Sequence, residues 1–435
     1  MTPSDTGVVG VSGAAHAALA ELLASYSTRR SGWDPIDEVR VVDAEVIVPG
    51  RPGVLDVVAS AGGRLVHVPF GLRSPGDPVR PMAEGEDPTV GTLEDRDGEA
   101  VVFDAVRDPE VAALLLQRVS GEEVDAALVR PVHEDATSVT LAMDDRIAFT
   151  VYNRVDDGPR PELAVFLALD ENGFNHLAAP IGVWQRAGRD LGVVQEYLPG
   201  ASSGYALALT SVRDLYASGG PPELAGGDFG AEAHRLGTMT ARMHLSLDKA
   251  FGRLPGDIER WAQEIDVALR ELDPELAERP DVEELLGQLR ALQASTPTIR
   301  THGDFHLGRT CRTEQGWYVV DFAAGGEPVS RAGTVPGPDG EPPFRSPVAD
   351  VADMLWSFGY VATAAADERD PSGQDGLSEL AEAWEARNRR AFLAGYLGVP
   401  GISGLVPPGR EALRVLTSSF ELVRAAVHDA PRTAG

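Results

Sequence analysis

THGDFHLGRT, residues 301–310, and WYVVDF, residues 317–322, decide how this chain is read. The first holds an Asp in a loop behind a His-Gly pair, and the second is a hydrophobic run that ends in Asp-Phe. Trp317, Tyr318, Val319 and Val320 are aromatic or β-branched and follow the turn residues Gln315 and Gly316, so the run reads as a strand. An isolated Asp behind a Gly is an ordinary turn former, because its carboxylate bonds its own backbone. The conjunction carries more. Asp304 is placed to orient an attacking hydroxyl and take its proton, and Asp321 to hold Mg²⁺ against nucleotide phosphates. His302 and His306 flank Asp304, and His306 reads either as a loop-shaping partner or as a contact to phosphate or metal.

Composition narrows the possibilities. A chain of 435 residues suggests two or three domains, and 43% hydrophobic content is ordinary for a globular protein. A formal charge of −29 argues against nucleic acid and anionic membrane as partners, and would mildly attract a cationic sugar. Cys311 is the only cysteine, which precludes an intramolecular disulfide and fits a reducing cytosol. The sequence opens without a basic segment followed by an apolar core, and no run approaches the roughly 18–20 apolar residues of a membrane span, so a cytoplasmic protein is expected. A monomer is expected. Lys249 is the only lysine, and arginine supplies the other fixed positive charge.

Periodicity divides the chain. Residues 1–13 read as a frayed terminus and 14–26 as a helix, followed by strands over 39–48, 53–60 and 64–73. A long Pro, Gly and Asp-rich loop is expected over 74–98, then a strand at 100–104 and a helix over 108–119 with an Asp-Pro-Glu start. A second strand series from about Ala127 includes TSVTLAMDD, RIAFTVYNR and GVVQEYLPG and brackets a helix at 161–169. After Gly200 the pattern turns helical, over 205–217, 228–247, 256–271, 281–293, 346–366, 376–396 and 409–429. Segment 325–347 lacks periodicity and reads as a loop.

At VHVPFGLR (66–73), EDATSV (134–139), VVQEYLPG (193–200), EAHRLGTMTARMH (232–244), THGDFHLG (301–308), VVDF with its following Gly-Glu-Pro (319–328), SPVADVADMLWSF (346–358) and FLAGY (392–396), the chain resembles a known family. It is similar to the actinobacterial maltokinase-like group of the aminoglycoside phosphotransferase and choline kinase superfamily, most of all to its glucosamine kinase branch. The resemblance covers nearly the whole chain. It implies an α+β, bilobal, protein-kinase-like fold with an N-terminal α/β cap domain at 1–121, a small nucleotide-binding lobe at 122–200 and a mostly helical large lobe at 201–435. It implies ATP and Mg²⁺ as cofactors and a small sugar as substrate. Asp304 becomes the catalytic residue, Asp321 the metal ligand with His306, and Thr137 and Ser138 a phosphate-side loop. Gln195, Tyr197 and Leu198 become the adenine hinge.

Two positions depart from that pattern. The second metal ligand, an Asn or Gln five residues after the catalytic Asp, is here Arg309, whose guanidinium has no lone pair for a cation. The lysine that pairs the α- and β-phosphates is replaced by Thr150, with Arg154 or Arg146 as substitutes suited to bidentate phosphate contact. These departures leave a non-catalytic, sugar-binding pseudokinase as a rival reading. For the acceptor, Asp304, His306, Arg309, Asp350 and Glu421 are expected to face the sugar, with Asp350, Glu421 or Asp429 pairing an ammonium group. The final helix, FELVRAAVHDA (420–430), ends without the aromatic and Pro-rich tail of the maltokinases, which suits an acceptor smaller than a disaccharide. Glucosamine is the leading acceptor and maltose the alternative.

Overall fold

The computed structural model describes residues 13–28, 38–83, 85, 87–95, 97–224, 228–292, 296–322, 334–335, 343–369 and 376–429. The frayed start, apart from Gly13, and most of the loop expected at 325–347, with its Gly-Glu-Pro, lie outside these residues. Met1–Arg160 with Ala178–Pro199 form one compact unit, and Pro161–Leu177 with Gly200–Gly435 form another.

The first unit contains two antiparallel sheets and two helices. Helix α1 (Gly13–Ser27) precedes β1 (Arg40–Val48), β2 (Gly53–Ala61), β3 (Arg64–Arg73), β4 (Thr89–Asp95) and β5 (Gly98–Asp104), which pair in the order β1-β2-β3-β5-β4. The stretch expected as one loop over 74–98 therefore contains β4. Its two buried residues, Val90 and Leu93, are three apart, and a register shift between Thr89 and Gly91 accommodates them. That spacing hides the strand from a period-two reading. Helix α2 (Pro109–Ser120) starts where its pattern predicts, with Asp108 accepting from the backbone N–H groups of Glu110 and Val111.

The second sheet holds β6 (Val129–Glu134), β7 (Ser138–Met143), β8 (Ile147–Tyr152), β10 (Pro180–Arg186) and β11 (Arg189–Glu196) in the order β10-β11-β8-β7-β6, while β9 (Arg154–Val155) pairs with β3 of the first sheet. Asp144 and Asp145, at φ 55° and 48°, make the tight β7–β8 turn. The two sheets share one core. Val111, Leu115 and Leu116 of α2 pack with Val54 and Val58 of β2 and with Leu141, Phe149 and Val151. A buried charge cluster adds a polar tie, in which Asp56 lies 2.7 Å from His67 Nε2 and 3.0 Å from the Arg186 guanidinium. His67 Nδ1 in turn donates to the Tyr152 carbonyl at 2.6 Å.

The second unit is mostly helical. It comprises α3 (Pro161–Glu171), α4 (Gly204–Ser218), α5 (Gly230–Phe251), α6 (Ile258–Leu272), the short α7 (Pro274–Ala277), α8 (Pro280–Ala291), α9 (Pro347–Arg369), α10 (Leu377–Leu397) and α11 (Arg410–Asp429). The long helices fall where apolar spacing places them. Trp261, Phe305, Phe358, Trp384, Phe392, Tyr396 and Phe420 are fully or almost fully buried in its core. Two glycines let α5 and α10 approach closely: a Cβ at Gly237 would lie 2.0 Å from the Phe392 carbonyl oxygen, and one at Gly395 2.0 Å from that of His234. A small sheet, β12 (Ser202–Ser203), β15 (Thr310–Arg312) and β16 (Trp317–Val319), runs beside the 301–309 loop, and a separate two-residue pair joins β13 (Leu254–Pro255) to β14 (Pro297–Thr298).

Removing one partner of a buried ion cluster leaves the others desolvated and uncompensated. Asp56→Ala is therefore expected to lower the stability of the first unit by about 3 kcal/mol, measured as a lower urea midpoint. A change within error would mean that the shared apolar core alone holds the sheets together.

Candidate active site

The loop carrying Asp304 is suspended from one buried carboxylate. Asp350, in the first turn of α9, is fully buried and accepts from the backbone N–H of His302 at 2.8 Å and of Gly303 at 3.1 Å. His244 of α5 approaches the same carboxylate at 3.2 Å and has the Tyr396 hydroxyl of α10 on its other ring nitrogen at 2.9 Å. Burial pushes the Asp350 carboxyl up, but the His244 hydrogen bond and the charges of His244, His302 and Arg345 outweigh it and leave the group below its ordinary value. Gly303 sits at φ 92°, which a side chain would strain, and this turns the chain into Asp304.

His302 carries that order to the second carboxylate. Its Nδ1 lies 3.4 Å from the Asp304 N–H and its Nε2 donates to the Val320 carbonyl at 3.1 Å, just before Asp321. The strand leading to Asp321 is fixed from behind as well, because the Trp317 indole donates to Glu232 of α5 at 2.7 Å. Asp321 has φ 55°, a left-handed conformation uncommon for a residue with a side chain. Such conformations gather at functional sites where the surroundings enforce them.

Three cationic or ring groups converge on Asp304. Arg424 of α11 reaches its Oδ1 at 2.6 Å, Arg309 its Oδ2 through Nη2 at 3.1 Å and Nε at 3.3 Å, and His306 Nε2 stands 3.5 Å from Oδ2. Burial pushes the Asp304 carboxyl up, but the His306 contact and the Arg424 charge hold it far below the usual carboxylate range. Arg309 also reaches Asp321 Oδ2 at 3.3 Å, so one guanidinium bridges the two carboxylates. Arg424 had no place in the sequence reading. Its signal was available, since it lies one helical turn after Glu421 and faces the same way. Its guanidinium lies 5.1 Å from the Trp356 ring centre.

The other expected residues fall elsewhere. Asp350 is committed to the loop backbone and has no exposed surface with which to meet a sugar. Glu421 is largely buried against Arg389 at 2.8 Å, and burial raises its pKa. Asp353 is buried beside Arg345 at 3.3 Å, and Asp429 is exposed at the end of α11. His306 Nδ1 accepts from the Gly308 N–H at 3.1 Å, so the proton of the neutral ring sits on Nε2, facing Asp304. That tautomer leaves no lone pair for a cation. Both ring nitrogens of His306 are thus engaged, which does not favour the metal role expected of it.

On the first unit the phosphate-side loop differs from expectation. Asp135 accepts from the Thr137 N–H at 2.6 Å, the Thr137 hydroxyl at 2.7 Å and the Ser138 N–H at 2.9 Å. The donors expected to hold phosphate thus already serve a carboxylate. Thr150, in the place of the family's lysine, bonds Thr140 across the strands at 2.9 Å. Arg146 pairs with Glu122 at 2.8 Å, whereas Arg154 is half-buried with no ion pair among the described residues. At the expected hinge, Gln195 lies in the ladder between Pro180 and Ala148, and the Tyr197 N–H donates to the Arg146 carbonyl at 2.8 Å. The Tyr197 ring packs under Arg130, and Leu198 is half-exposed.

Asp321 fits a single Mg²⁺. Its side chain is 67% exposed, and Oδ1 has no partner among the described residues. A carboxylate open on one oxygen suits an ion whose shell is completed by water and phosphate oxygens. Among the described residues no group of three or more His, Cys, Asp or Glu side chains gathers into a closed metal cage.

Residues 129–326 match the model of the phosphotransferase enzyme family. Among curated relatives, a glucosamine kinase of Streptacidiphilus jiangxiensis is 34% identical over 53% of this chain and 52% of its own length, so the match spans about half of that relative. A glucosamine kinase of Mycolicibacterium smegmatis is 29% identical over 69% of this chain and 75% of its own length. Among solved structures, a glucosamine kinase in complex with glucosamine, ADP and inorganic phosphate superposes with a TM-score of 0.64 at 22% identity, over 94% of this chain and 95% of that one. A structure of a glucosamine kinase in crystal form A superposes with a TM-score of 0.60 at 23% identity, over 94% of this chain and 92% of that one. The α+β, bilobal phosphotransferase fold expected from the sequence is the one observed. No helix among the described residues is long and apolar enough to cross a membrane.

Asp350 is the residue whose change tests this construction. An Asn there keeps the shape but replaces one acceptor oxygen by a donor facing other donors. Asp350→Asn is expected to lower stability by about 3–5 kcal/mol, the cost of breaking a buried charge network. Any residual activity should show a reduced kcat, since Asp304 loses its support. A variant with unchanged melting temperature and kcat would refute the positioning role.

Proposed function

We propose that this chain transfers the γ-phosphoryl group of ATP to the 6-hydroxyl of glucosamine. The observation that carries the reading is the Asp304 carboxylate, held by Arg424, Arg309 and His306 on a loop anchored by Asp350. In the family such an Asp faces the acceptor hydroxyl. The choice of sugar rests on the two curated relatives described as glucosamine kinases.

A carboxylate whose pKa is pushed so low is a weak base. Asp304 therefore acts first by orienting the hydroxyl, and receives its proton only once the bond to phosphorus has begun to form, as a loose transition state permits. Asp321 is the residue that would hold Mg²⁺, whose charge would offset that of the phosphates. On the first unit Arg154 is the proposed phosphate cation in place of the missing lysine, because Arg146 is committed to Glu122. Gln195, Tyr197 and Leu198 remain the proposed adenine contacts, with Thr137 and Ser138 reserved to Asp135 unless that turn opens.

The charges around Asp304 bear on which hydroxyl reacts. Arg309 and Arg424 repel an ammonium group, so the amino group must lie away from the attacked oxygen. In glucosamine the 1- and 3-hydroxyls sit on carbons adjacent to the amine-bearing carbon, whereas the 6-hydroxyl is remote. Of the two hydroxyls left, those on carbons 4 and 6, the 6-hydroxyl is the more remote from the amine and the only primary one. Of the three carboxylates considered for the ammonium, Asp350 serves the loop and Glu421 serves Arg389, which leaves exposed Asp429.

Asp304→Asn is expected to reduce kcat by about 10²–10⁴-fold while ATP affinity stays close to wild type. Steady-state ADP release and a nucleotide titration measure the two, and near wild-type turnover would remove Asp304 from the mechanism. In a sugar panel, glucosamine should exceed both glucose and maltose in kcat/KM. A contact through exposed Asp429 limits the margin over glucose, since solvent weakens such a pair. Maltose as the better substrate would place the chain with the maltokinases, and no ADP release with any sugar would favour the non-catalytic reading.

A further inference from the structure

In kinases of this general design two Mg²⁺ ions are held, one by the strand-end Asp and the second by an amide side chain of the catalytic loop. Here the loop position is Arg309, and its location is unusually well defined. Its N–H donates to the His306 carbonyl at 2.8 Å and its own carbonyl accepts from the Val320 N–H at 3.0 Å, which ties it to the strand bearing Asp321. Its guanidinium then spans Asp304 and Asp321, at 3.1 and 3.3 Å.

We propose that Arg309 stands in for the second metal ion, so that the site takes one divalent cation, at Asp321, with a tethered guanidinium as the other positive charge. A second ion would need oxygen donors between the two carboxylates. The guanidinium fills that place, offers no lone pair and repels a cation. It retains what the second ion supplies, a positive charge facing the transferred phosphoryl group, fixed in place before the reaction begins. Unlike an ion, it does not dissociate. The rate should therefore stop rising once Mg²⁺ matches ATP, without further activation by free Mg²⁺.

The inference rests on the phosphoryl-transfer reading, and the test separates the two. Bound Mn²⁺ is counted by electron paramagnetic resonance on the full chain saturated with a non-hydrolysable ATP analogue. The wild type is expected to bind one ion per nucleotide, Arg309→Gln two, because an amide oxygen reopens the position, and Arg309→Lys one. Two ions on a wild type that phosphorylates glucosamine would overturn the inference and leave the functional reading intact. A single ion on a folded, nucleotide-bound Arg309→Gln variant would overturn it as well. Failure of the wild type to bind nucleotide at all would overturn both. The wild-type count stands whether or not a variant folds.

Discussion

Everything in the second unit's active loop depends on holding an ionised Asp350 out of water. Removing a carboxylate from solvent costs several kcal/mol unless hydrogen bonds and opposite charge replace the lost hydration. The replacements come from separate parts of the chain: two backbone N–H groups of the loop, His244 of α5, and Arg345 at 3.9 Å just ahead of α9. Tyr396 of α10 completes the set by bonding His244. A loop, three helices and one strand-end arginine are thereby made mutually dependent. His302 extends the constraint to Val320, so the carboxylate that positions Asp304 also positions the strand end at Asp321. The placement of both candidate carboxylates follows from one buried charge.

The local charge around that loop is more balanced than the charge of the whole protein. The chain carries −29, yet Asp304 is met by Arg309, Arg424 and His306. Two guanidiniums there face the Asp304 and Asp321 carboxylates, so the site is locally close to neutral within a strongly acidic protein, and such partly buried charges are screened less than surface ones. The same cluster weakens Asp304 as a base. This combination suits phosphoryl transfer, in which bonding to the leaving group is largely lost before the nucleophile needs to give up its proton. An enzyme deprotonating its nucleophile first would require the opposite tuning, with burial raising the pKa of the carboxylate instead.

What the sequence disclosed and what it concealed follow one physical rule. Helical spacing located the long helices of the second unit because each buries a continuous apolar stripe, and the Asp-Pro-Glu start of α2 announced its own cap. The loop Asp and the strand Asp were legible because their local sequence is unusual. Strand β4 was not, since a register shift breaks its alternation. Residues whose roles depend on long-range partners were also obscured. Asp350 was expected to face the sugar, and only the folded chain shows it buried beneath the loop. Thr137 and Ser138 are a different case: they were expected to hold phosphate, but Asp135, two and three residues away, takes their donors in a local turn of the kind an Asp commonly makes.

The two departures from the family pattern have a common chemical form. A lysine is a compact charge on a flexible stem, and an amide is a neutral ligand that needs an ion to supply charge. Arginine combines a fixed charge with a planar fork that holds two oxygens at once. In the second unit that fork connects Asp304 to Asp321, a task that neither an amide nor a lysine performs in one geometry. In the first unit Thr140 and Thr150 satisfy each other across the strands, so the position left by the lysine carries no stranded polar group. Decay of a site leaves unpaired charge or an open carboxylate pair. Here the altered positions are hydrogen-bonded and the two Asp residues keep their support, which is the arrangement expected of a site rebuilt around arginine rather than one abandoned.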